Sequence, residues 1–389
     1  MPNTKPFASH YSAIVVGARC AGAATAMLLA RQGHRVLLVD RDRRGADTLS
    51  THALMRGAVM QLSSWGLLDK IIDAGTPAIR KTAFIYGDEI VELDIQPSHG
   101  VEALYAPRRF LLDSILVDAA EEAGVDVRFE TSVRDLLKDA GGRVRGVVLH
   151  GENGLIRMIT ADIVIGADGR QSSVARLAGA RTVQQASHIG AVVYGYFEGI
   201  PDQGNRWYFA PGIAAGVIPT NGGQSCVFVS MSPDTYREQV RGQPESALRR
   251  LAEKPLPDLA ARLARASLSG RPIGFAGMRG HMRQATGPGW ALVGDAGYFK
   301  DQATAHGITD ALRDAEILSR AICEGPAALD RYQEIRDSLS RGLFEVTDQI
   351  ASLDWTMDEL KRLHIRLNKV MREEQDWMVS TFTPALRAA

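Results

Sequence analysis

The stretch I14-V-V-G-A-R-C-A-G22 decides how the chain is read, because it is a nucleotide-binding fingerprint with one letter changed. The usual pattern is G-x-G-x-x-G; Gly17 and Gly22 keep the outer positions, and Arg19 stands where the middle glycine belongs. In such a loop the first glycine makes a tight turn, the second lets backbone approach a pyrophosphate, and the third lets helix pack on strand. Only the second job is altered. An arginine there adds a Cβ, but also a guanidinium able to pair with phosphates or to lie along a dinucleotide. The flanks agree with the motif. "YSAIVVG" (11–17) reads as a buried strand, "CAGAATAMLLARQG" (20–33) as a helix ended by Gly33, and "HRVLLVD" (34–40) as a second buried strand. Parallel strands need such a helical crossover, so the unit is βαβ. Asp40 closes the second strand about 20 residues past the fingerprint, where an acid bonds a ribose hydroxyl. A carboxylate there favours a free 2′-hydroxyl, hence FAD or NAD, over a 2′-phosphate. Gly17, Arg19, Cys20, Ala21 and Gly22, with Asp40 and Arg41, are the candidate nucleotide contacts.

Composition narrows the class. At 389 residues with 45% apolar side chains, the chain is long enough for two lobes or one interrupted domain. Its 45 basic and 45 acidic residues cancel, which gives no global pull toward nucleic acid or anionic membrane. Cys20, Cys226 and Cys323 are scattered, without metal spacing, so no metal is expected and a reduced cytoplasmic setting fits best. The N-terminal residues do not read as a signal peptide. The uncharged stretch from Trp207 to Pro233 is broken by prolines and glycines, so no membrane span is expected.

Two later stretches bear on the cofactor. "ADIVIGADGRQSSVARLAG" begins as a strand and turns at Asp168-Gly169 into a loop and helix. Before it, "GGRVRGVVLHGENGLIRMIT" alternates like a small β-meander, with turn signals at Gly141-Gly142 and Asn153-Gly154. "GWALVGDAGYFKDQATAHGITDALRDAEILSRAI" gives a strand ending at Val293, then Gly294-Asp295, a loop, and a helix starting near Gly307.

The βαβ start, the G-A-D-G stretch and the G-D-A stretch, in this order, resemble the flavoprotein monooxygenases of the para-hydroxybenzoate hydroxylase type (class A), over about residues 11 to 325. The resemblance implies an α/β fold: a Rossmann-like FAD-binding domain with a parallel sheet and β-meander, interrupted by a substrate domain with a mostly antiparallel sheet, then C-terminal helices. It places the FAD domain at 11–81, 104–182 and 273–325. The substrate domain takes 82–103 and 183–272, and a helical region takes 326–389. By position, Asp295 would bond the ribityl hydroxyls of FAD, and Asp168 and Gly169 would lie near the pyrophosphate and serve nicotinamide docking. Arg109 would reach the cofactor's phosphate or ribose region, and Val133 would meet adenine through its backbone. The sequence departs from the family at Gln302 (usually proline), Tyr298 (often histidine) and Ala175 (commonly arginine, here followed by Arg176).

Reduced flavin carries negative charge, and a helix N-terminus offers unpaired N–H groups and partial positive charge. The backbone amides of Ala305, His306, Gly307 and Ile308 are the candidates for that role. His306 would add a charge or a proton donor, or simply cap the helix.

In the substrate region "HIGAVVYGYFEGI", "RWYFAPGIAAGVIPT" and "QSCVFVSMS" read as strands and "PESALRRLAEKPLPDLAARLARA" as helix. His52, Tyr194, Tyr196 and Trp207 are the substrate-site candidates; no catalytic residue is singled out. In "MDELKRLHIRLNKVM", Met357, Leu360, Leu363, Leu367 and Val370 share one helix face, for packing on the chain's own domain or for a homodimer. The expected activity is NADPH- or NADH-driven hydroxylation of a small aromatic or other electron-rich molecule through a flavin C4a-hydroperoxide, by a monomer or homodimer. The alternative is a reductase of the geranylgeranyl-reductase kind, without oxygen transfer. A halogenase fits less well, because "RWYFAPGIAAGVIP" lacks that family's W-x-W-x-I-P stretch.

Overall fold

A computed structural model describes residues 6–151 and 154–386. The first strand, His10–Val16, pairs in parallel with Val36–Val39 on one side and with Ile156–Gly166 on the other. Asp126–Arg128 extends this sheet beyond Val36–Val39, and Trp290–Leu292 extends it beyond Ile156–Gly166, both in parallel. The order therefore puts the first strand at the centre, as a βαβ start requires. All four residues of Val36–Val39 are buried, the mark of a strand covered on both faces.

Alternation sorts the side chains between two cores. Ala13, Val15 and Leu38 pack toward the crossover helix Cys20–Arg31, while Ile14, Val16, Leu37 and Val39 pack toward the meander. The meander is Ser132–Lys138, Val144–His150 and the first half of Ile156–Gly166, paired antiparallel. Of its two turn signals, Gly141-Gly142 lies between the first two strands; Asn153 lies outside the described residues. The crossover helix buries Ala21, Gly22, Ala23, Ala24 and Ala26, small side chains that let it approach the sheet and the helix Gly307–Glu324.

The second sheet has seven strands in the order Ser267–Phe275, Ala191–Glu198, Ser225–Met231, Ile213–Pro219, Asn205–Ala210, Lys81–Tyr86, Glu89–Asp94. All its pairings are antiparallel except that of Asn205–Ala210 with Lys81–Tyr86. One face, with Val193 and Phe197, packs on helices Pro244–Glu253 and Pro257–Arg265; the other presents Tyr194 and Tyr196 to the first domain. The single helix expected over 244–266 is two, because Pro255 and Pro257 interrupt the backbone ladder and Pro257 starts the second.

The chain ends in two long helices, Pro326–Ala351 and Met357–Leu386. The apolar face expected from sequence turns inward. Leu360 is fully buried, and Met357, Leu363, Leu367 and Val370 join it against Leu343, Val346 and Ile350 of the preceding helix and Tyr86 and Phe209 of the second sheet. The last helix thus lies across both domains and carries its later residues back to the first.

Candidate cofactor and substrate cleft

A cleft of about 660 Å³ opens where the carboxyl ends of the parallel strands face the second sheet. Its lining runs from residues 39–42 and 131–134, past the fingerprint loop and 167–171, to Asp295 and residues 299–308. This is the position in which open α/β sheets bind ligands.

The fingerprint glycines are needed for close approach. Gly17 has φ +107°, and a Cβ there would lie 2.4 Å from the Ala167 carbonyl oxygen. A Cβ on Gly22 would lie 1.7 Å from the Gly17 oxygen, so helix and strand meet at backbone distance. Arg19 needs no such freedom, since its backbone is extended (φ −94°, ψ −171°). Its guanidinium donates to Asp42 Oδ2 (3.0 Å) and the Ala46 carbonyl (3.2 Å) and sits 3.5 Å from Asp113. The side chain expected near phosphate lines the cleft and braces the 42–47 loop at its edge.

Asp40 accepts hydrogen bonds from Ala18 N (2.6 Å) and Asp42 N (2.8 Å), which ties the second strand to the fingerprint. Burial raises its pKa against the pull of those donors. A carboxylate has about four lone-pair sites, so acceptor capacity remains for a ribose. Arg41, next to it, is exposed at the rim, and Val133 lies opposite, just before a bulge between Val133 and Asp135.

Arg109, partly buried in the wall, forks onto Asp113 at 3.0 and 3.1 Å, and Cys20 Sγ donates to the same carboxylate at 3.1 Å. Asp168 accepts from Ser173 N (2.6 Å), Val174 N (3.2 Å) and the Ser172 hydroxyl (2.5 Å), so its carboxylate is committed to starting the helix Ser173–Ala178. Gly169 follows with φ +76°. The G-D-A turn is brought onto the crossover helix by Gly294, whose Cβ would meet that of Ala21 at 2.8 Å. Asp295 itself has no side-chain hydrogen bond or ion pair among the described residues. Burial raises its pKa, opposed by the nearby Lys300, Arg170 and Arg109.

Two helices point uncapped N-termini at this cleft: Cys20–Arg31 and Gly307–Glu324, neither with a side-chain cap. Of the amides expected at the second, Ala305 N is already bonded to the Gln302 carbonyl (3.0 Å), because the tight turn ending in left-handed Ala305 (φ +50°) consumes it. That expectation is corrected to His306, Gly307 and Ile308.

Behind this terminus lies a buried charge network that sequence reading missed. His306 Nε2 lies 2.6 Å from Glu374 Oε2, and Arg313 Nη1 reaches Glu374 Oε1 (2.5 Å) and Asp310 (3.2 Å). Arg313 also pairs with Asp314 (2.7 Å), and Lys300 pairs with Asp310. Burial lowers the pKa of His306 against the pull of Glu374. Burial would raise the Glu374 carboxyl, but His306 and Arg313 outweigh it and hold it down to about 2. Donor atoms of His306, Asp310 and Glu374 lie within 4.8 Å of one another, yet both carboxylates are already neutralised by Arg313 and Lys300. Glu374 was legible in one respect: it continues the stripe 360, 363, 367, 370 as a carboxylate on an apolar face.

Of the four substrate-site candidates, His52 and Tyr194 line the cleft; Tyr196 and Trp207 do not. Tyr196 is sandwiched between the His52 ring (centroids 5.7 Å apart) and the Arg108 guanidinium (3.5 Å). Trp207 donates to Thr82 Oγ1 (3.1 Å) and packs on Phe228, on a strand too far across the sheet. His52 is buried with φ +49°; neither ring nitrogen makes a hydrogen bond of good geometry, and the Ala106 backbone is its nearest polar neighbour. Burial, then Arg108 and Arg109, push its pKa down to about 3, which makes it a neutral acceptor or donor rather than a strong base. Tyr194 accepts from Ser50 N (3.3 Å), and burial pushes its hydroxyl up to about 12. Phe275 and Phe299, unanticipated, complete this end.

The donor set fits an extended dinucleotide: an acid and backbone at one end, a helix N-terminus mid-way, and an unpartnered carboxylate and second helix N-terminus at the other. The comparisons agree. The sequence profile of the family described as FAD binding domain matches residues 10–346. The digeranylgeranylglycerophospholipid reductase of Methanothrix thermoacetophila is 29% identical over 82% of this chain and 78% of that protein. The 6-methylpretetramide 4-monooxygenase of Streptomyces rimosus is 26% identical over 98% of this chain and 91% of that protein. Among solved structures, the flavin-dependent brominase Bmp2 superposes with TM-score 0.78 at 18% identity, over 94% of this chain and 100% of the other. Pseudomonas aeruginosa PqsL in complex with 2-aminobenzoylacetate gives 0.75 at 22%, over 93% and 100%. These structures share the fold. Among the described residues, no helix is long and apolar enough to cross a membrane.

Proposed function

This chain belongs to the FAD-binding-domain family, and from that premise we propose that it is an NADH- or NADPH-driven monooxygenase of the class A kind, acting on a small aromatic or other electron-rich molecule. The observation that carries the reading is the compact end of the cleft beside the second helix N-terminus. There His52, Tyr194, Phe275 and Phe299 line the cleft with aromatic rings, a surface that suits a flat aromatic molecule. FAD, when bound, supplies a two-electron centre that accepts electrons from a reduced nicotinamide and reacts with dioxygen.

The protein's part is to bind, orient and keep water out. The amides of Cys20 and Ala21 hold the pyrophosphate at the crossover helix, with Gly17 and Gly22 giving the loop its shape. Asp40, Arg41 and the Val133 backbone hold the adenosine end, and Arg109 neutralises phosphate while staying forked on Asp113. Asp168 and Gly169 shape the loop on which the nicotinamide donor docks. Asp295 accepts from ribityl hydroxyls. The amides of His306, Gly307 and Ile308 meet negative charge at the ring end. His52 and Tyr194 orient the substrate through the imidazole and through the Tyr194 hydroxyl proton, the hydroxyl oxygen being taken by Ser50 N. Likeness to the Streptomyces monooxygenase along almost the whole chain, and an aromatic ligand in PqsL, support this reading.

A second reading is favoured by one observation: several relatives at 25–29% identity are digeranylgeranylglycerophospholipid reductases. That activity would use the same cofactor site without oxygen transfer. The test is oxidation of NADH and NADPH by the FAD-loaded protein against a panel of phenols, anilines and isoprenoid lipids. The proposal expects stimulation by aromatic compounds in the presence of dioxygen. Stimulation by isoprenoids alone, undiminished without dioxygen, supports the reductase.

A further inference from the structure

His306 opens the helix Gly307–Glu324 as its N-cap without a side-chain cap bond, lines the cleft, and is 1% exposed. Its Nε2 is turned back to Glu374, 2.6 Å away, and its Nδ1 has no partner. Buried polar atoms almost always have partners, so an orphan nitrogen on a cleft wall marks where a ligand atom belongs. The ionised Glu374, held by Arg313, keeps the ring proton on Nε2 and leaves Nδ1 as a bare lone pair. A bare lone pair repels negative charge; a protonated Nδ1 donates to it.

The charged and titratable groups facing this pair are Lys300, Asp310, Arg313, Asp314 and Tyr298; beyond them, Asp295 faces Lys300, and Arg336 faces Tyr298 while paired with Asp337. Lys300 pairs with Asp310, and Arg313 with Asp314 while also touching Glu374. With two cations against three carboxylates, the cluster carries one uncompensated negative charge while His306 is neutral. An imidazolium removes that charge and gives Nδ1 a proton to donate.

We propose that Glu374, delivered by the C-terminal helix, is a positioning residue that makes His306 take up a proton at Nδ1 when negative charge arrives at this helix N-terminus. The proposal rests on the FAD reading and adds proton coupling at that same site. Two-electron reduction brings one proton to the cofactor and leaves one negative charge there; His306 takes a second proton from solvent. Two protons then accompany two electrons, and the C-terminal helix controls the second.

The test is the midpoint potential of the FAD-loaded protein against pH, between about pH 6 and 8 where an imidazole titrates. A tenfold change in proton concentration shifts a two-electron couple by about 30 mV per proton. The unaltered protein is expected to fall by about 59 mV per pH unit, and Glu374→Gln by about 30 mV. Should Glu374→Gln fail to fold, His306→Gln carries the same test, because it keeps a hydrogen bond toward Glu374 without the titrating ring. A slope of about 30 mV in the unaltered protein overturns the proposal. So does a slope of about 59 mV kept in either variant, which assigns the second proton elsewhere, Lys300 being the alternative, pushed down to about 7 by burial. If the unaltered protein retains no FAD at all, the cofactor reading fails first, visibly, and this proposal with it.

Discussion

Replacing Gly17 by alanine tests whether the fingerprint turn is held by close backbone approach. At φ +107° an L-residue is strained, at a cost of about 1–3 kcal/mol. The added Cβ also meets the Ala167 carbonyl oxygen at 2.4 Å and carbon at 2.7 Å, and that carbonyl belongs to backbone, not to a side chain that can swing away. Nor can the turn relax freely, because Gly17 N donates to the Val39 carbonyl at 2.8 Å. Forcing a methyl into such a contact costs about 1–3 kcal/mol more. We expect a total of about 2–6 kcal/mol, a large part of the roughly 5–15 kcal/mol that holds a domain folded. Gly33→Ala is the control: φ is +86°, but nothing lies within 4 Å of its Cβ, so only the strain remains. Urea unfolding of both variants without FAD measures the difference at constant m-value. Gly17→Ala should lose at least 1 kcal/mol more than Gly33→Ala, on the order of the overlap cost. Equal losses would refute the close-approach argument and leave Gly17 as an ordinary turn residue.

Other perturbations follow from the same site. Asp295→Ala should weaken FAD binding by tenfold or more, about 1.4 kcal/mol, yet leave the FAD-free protein as stable or more so, because an unpartnered, half-buried carboxylate is removed. Undiminished FAD occupancy in a dialysis assay would remove Asp295 from the site. Arg19→Gly should lower FAD affinity through the 42–47 loop, with the salt dependence of binding unchanged; a shallower salt dependence would instead mean that the guanidinium meets phosphate. His52 should make the fold acid-sensitive. Its folded pKa of about 3 lies below the ordinary 6.5, so between those values the unfolded chain binds the extra proton and stability falls as pH falls. The slope from this one group is at most about 1.4 kcal/mol per pH unit. Asp301, pushed up to about 6 by burial, acts in the opposite sense, so the measurement is the difference in urea stability between the unaltered protein and His52→Phe at several pH values. Parallel pH curves for the two would contradict the burial argument.

Much of the first domain was legible because its physics is local. A buried strand, a helix rich in Ala and Gly, and an acid at the end of the next strand announce themselves within thirty residues, and Asp168-Gly169 and Gly294-Asp295 repeat the turn at later strand ends. What a side chain does after the chain folds was less legible. Arg19 and Asp168 sit where the motif puts them, but their charged groups are held by Asp42 and by the start of the helix Ser173–Ala178. The Ala305 amide was lost to a tight turn that only backbone geometry reveals. Tyr196 and Trp207 have the composition of a pocket and the location of packing. Glu374, nearly seventy residues from its partner His306, arrives by way of two long helices, and only a carboxylate on an apolar stripe hinted at it.

In the proposed monooxygenase reaction, one atom of dioxygen reaches the substrate. The most direct measurement supplies the FAD-loaded protein with NADH or NADPH, the most stimulating aromatic compound and isotopically labelled dioxygen, then weighs the product. A hydroxylated product carrying one labelled oxygen is expected, in proportion to the nicotinamide consumed. A product saturated at a carbon–carbon double bond and free of label, formed equally well without dioxygen, would contradict the proposal and make this chain a reductase.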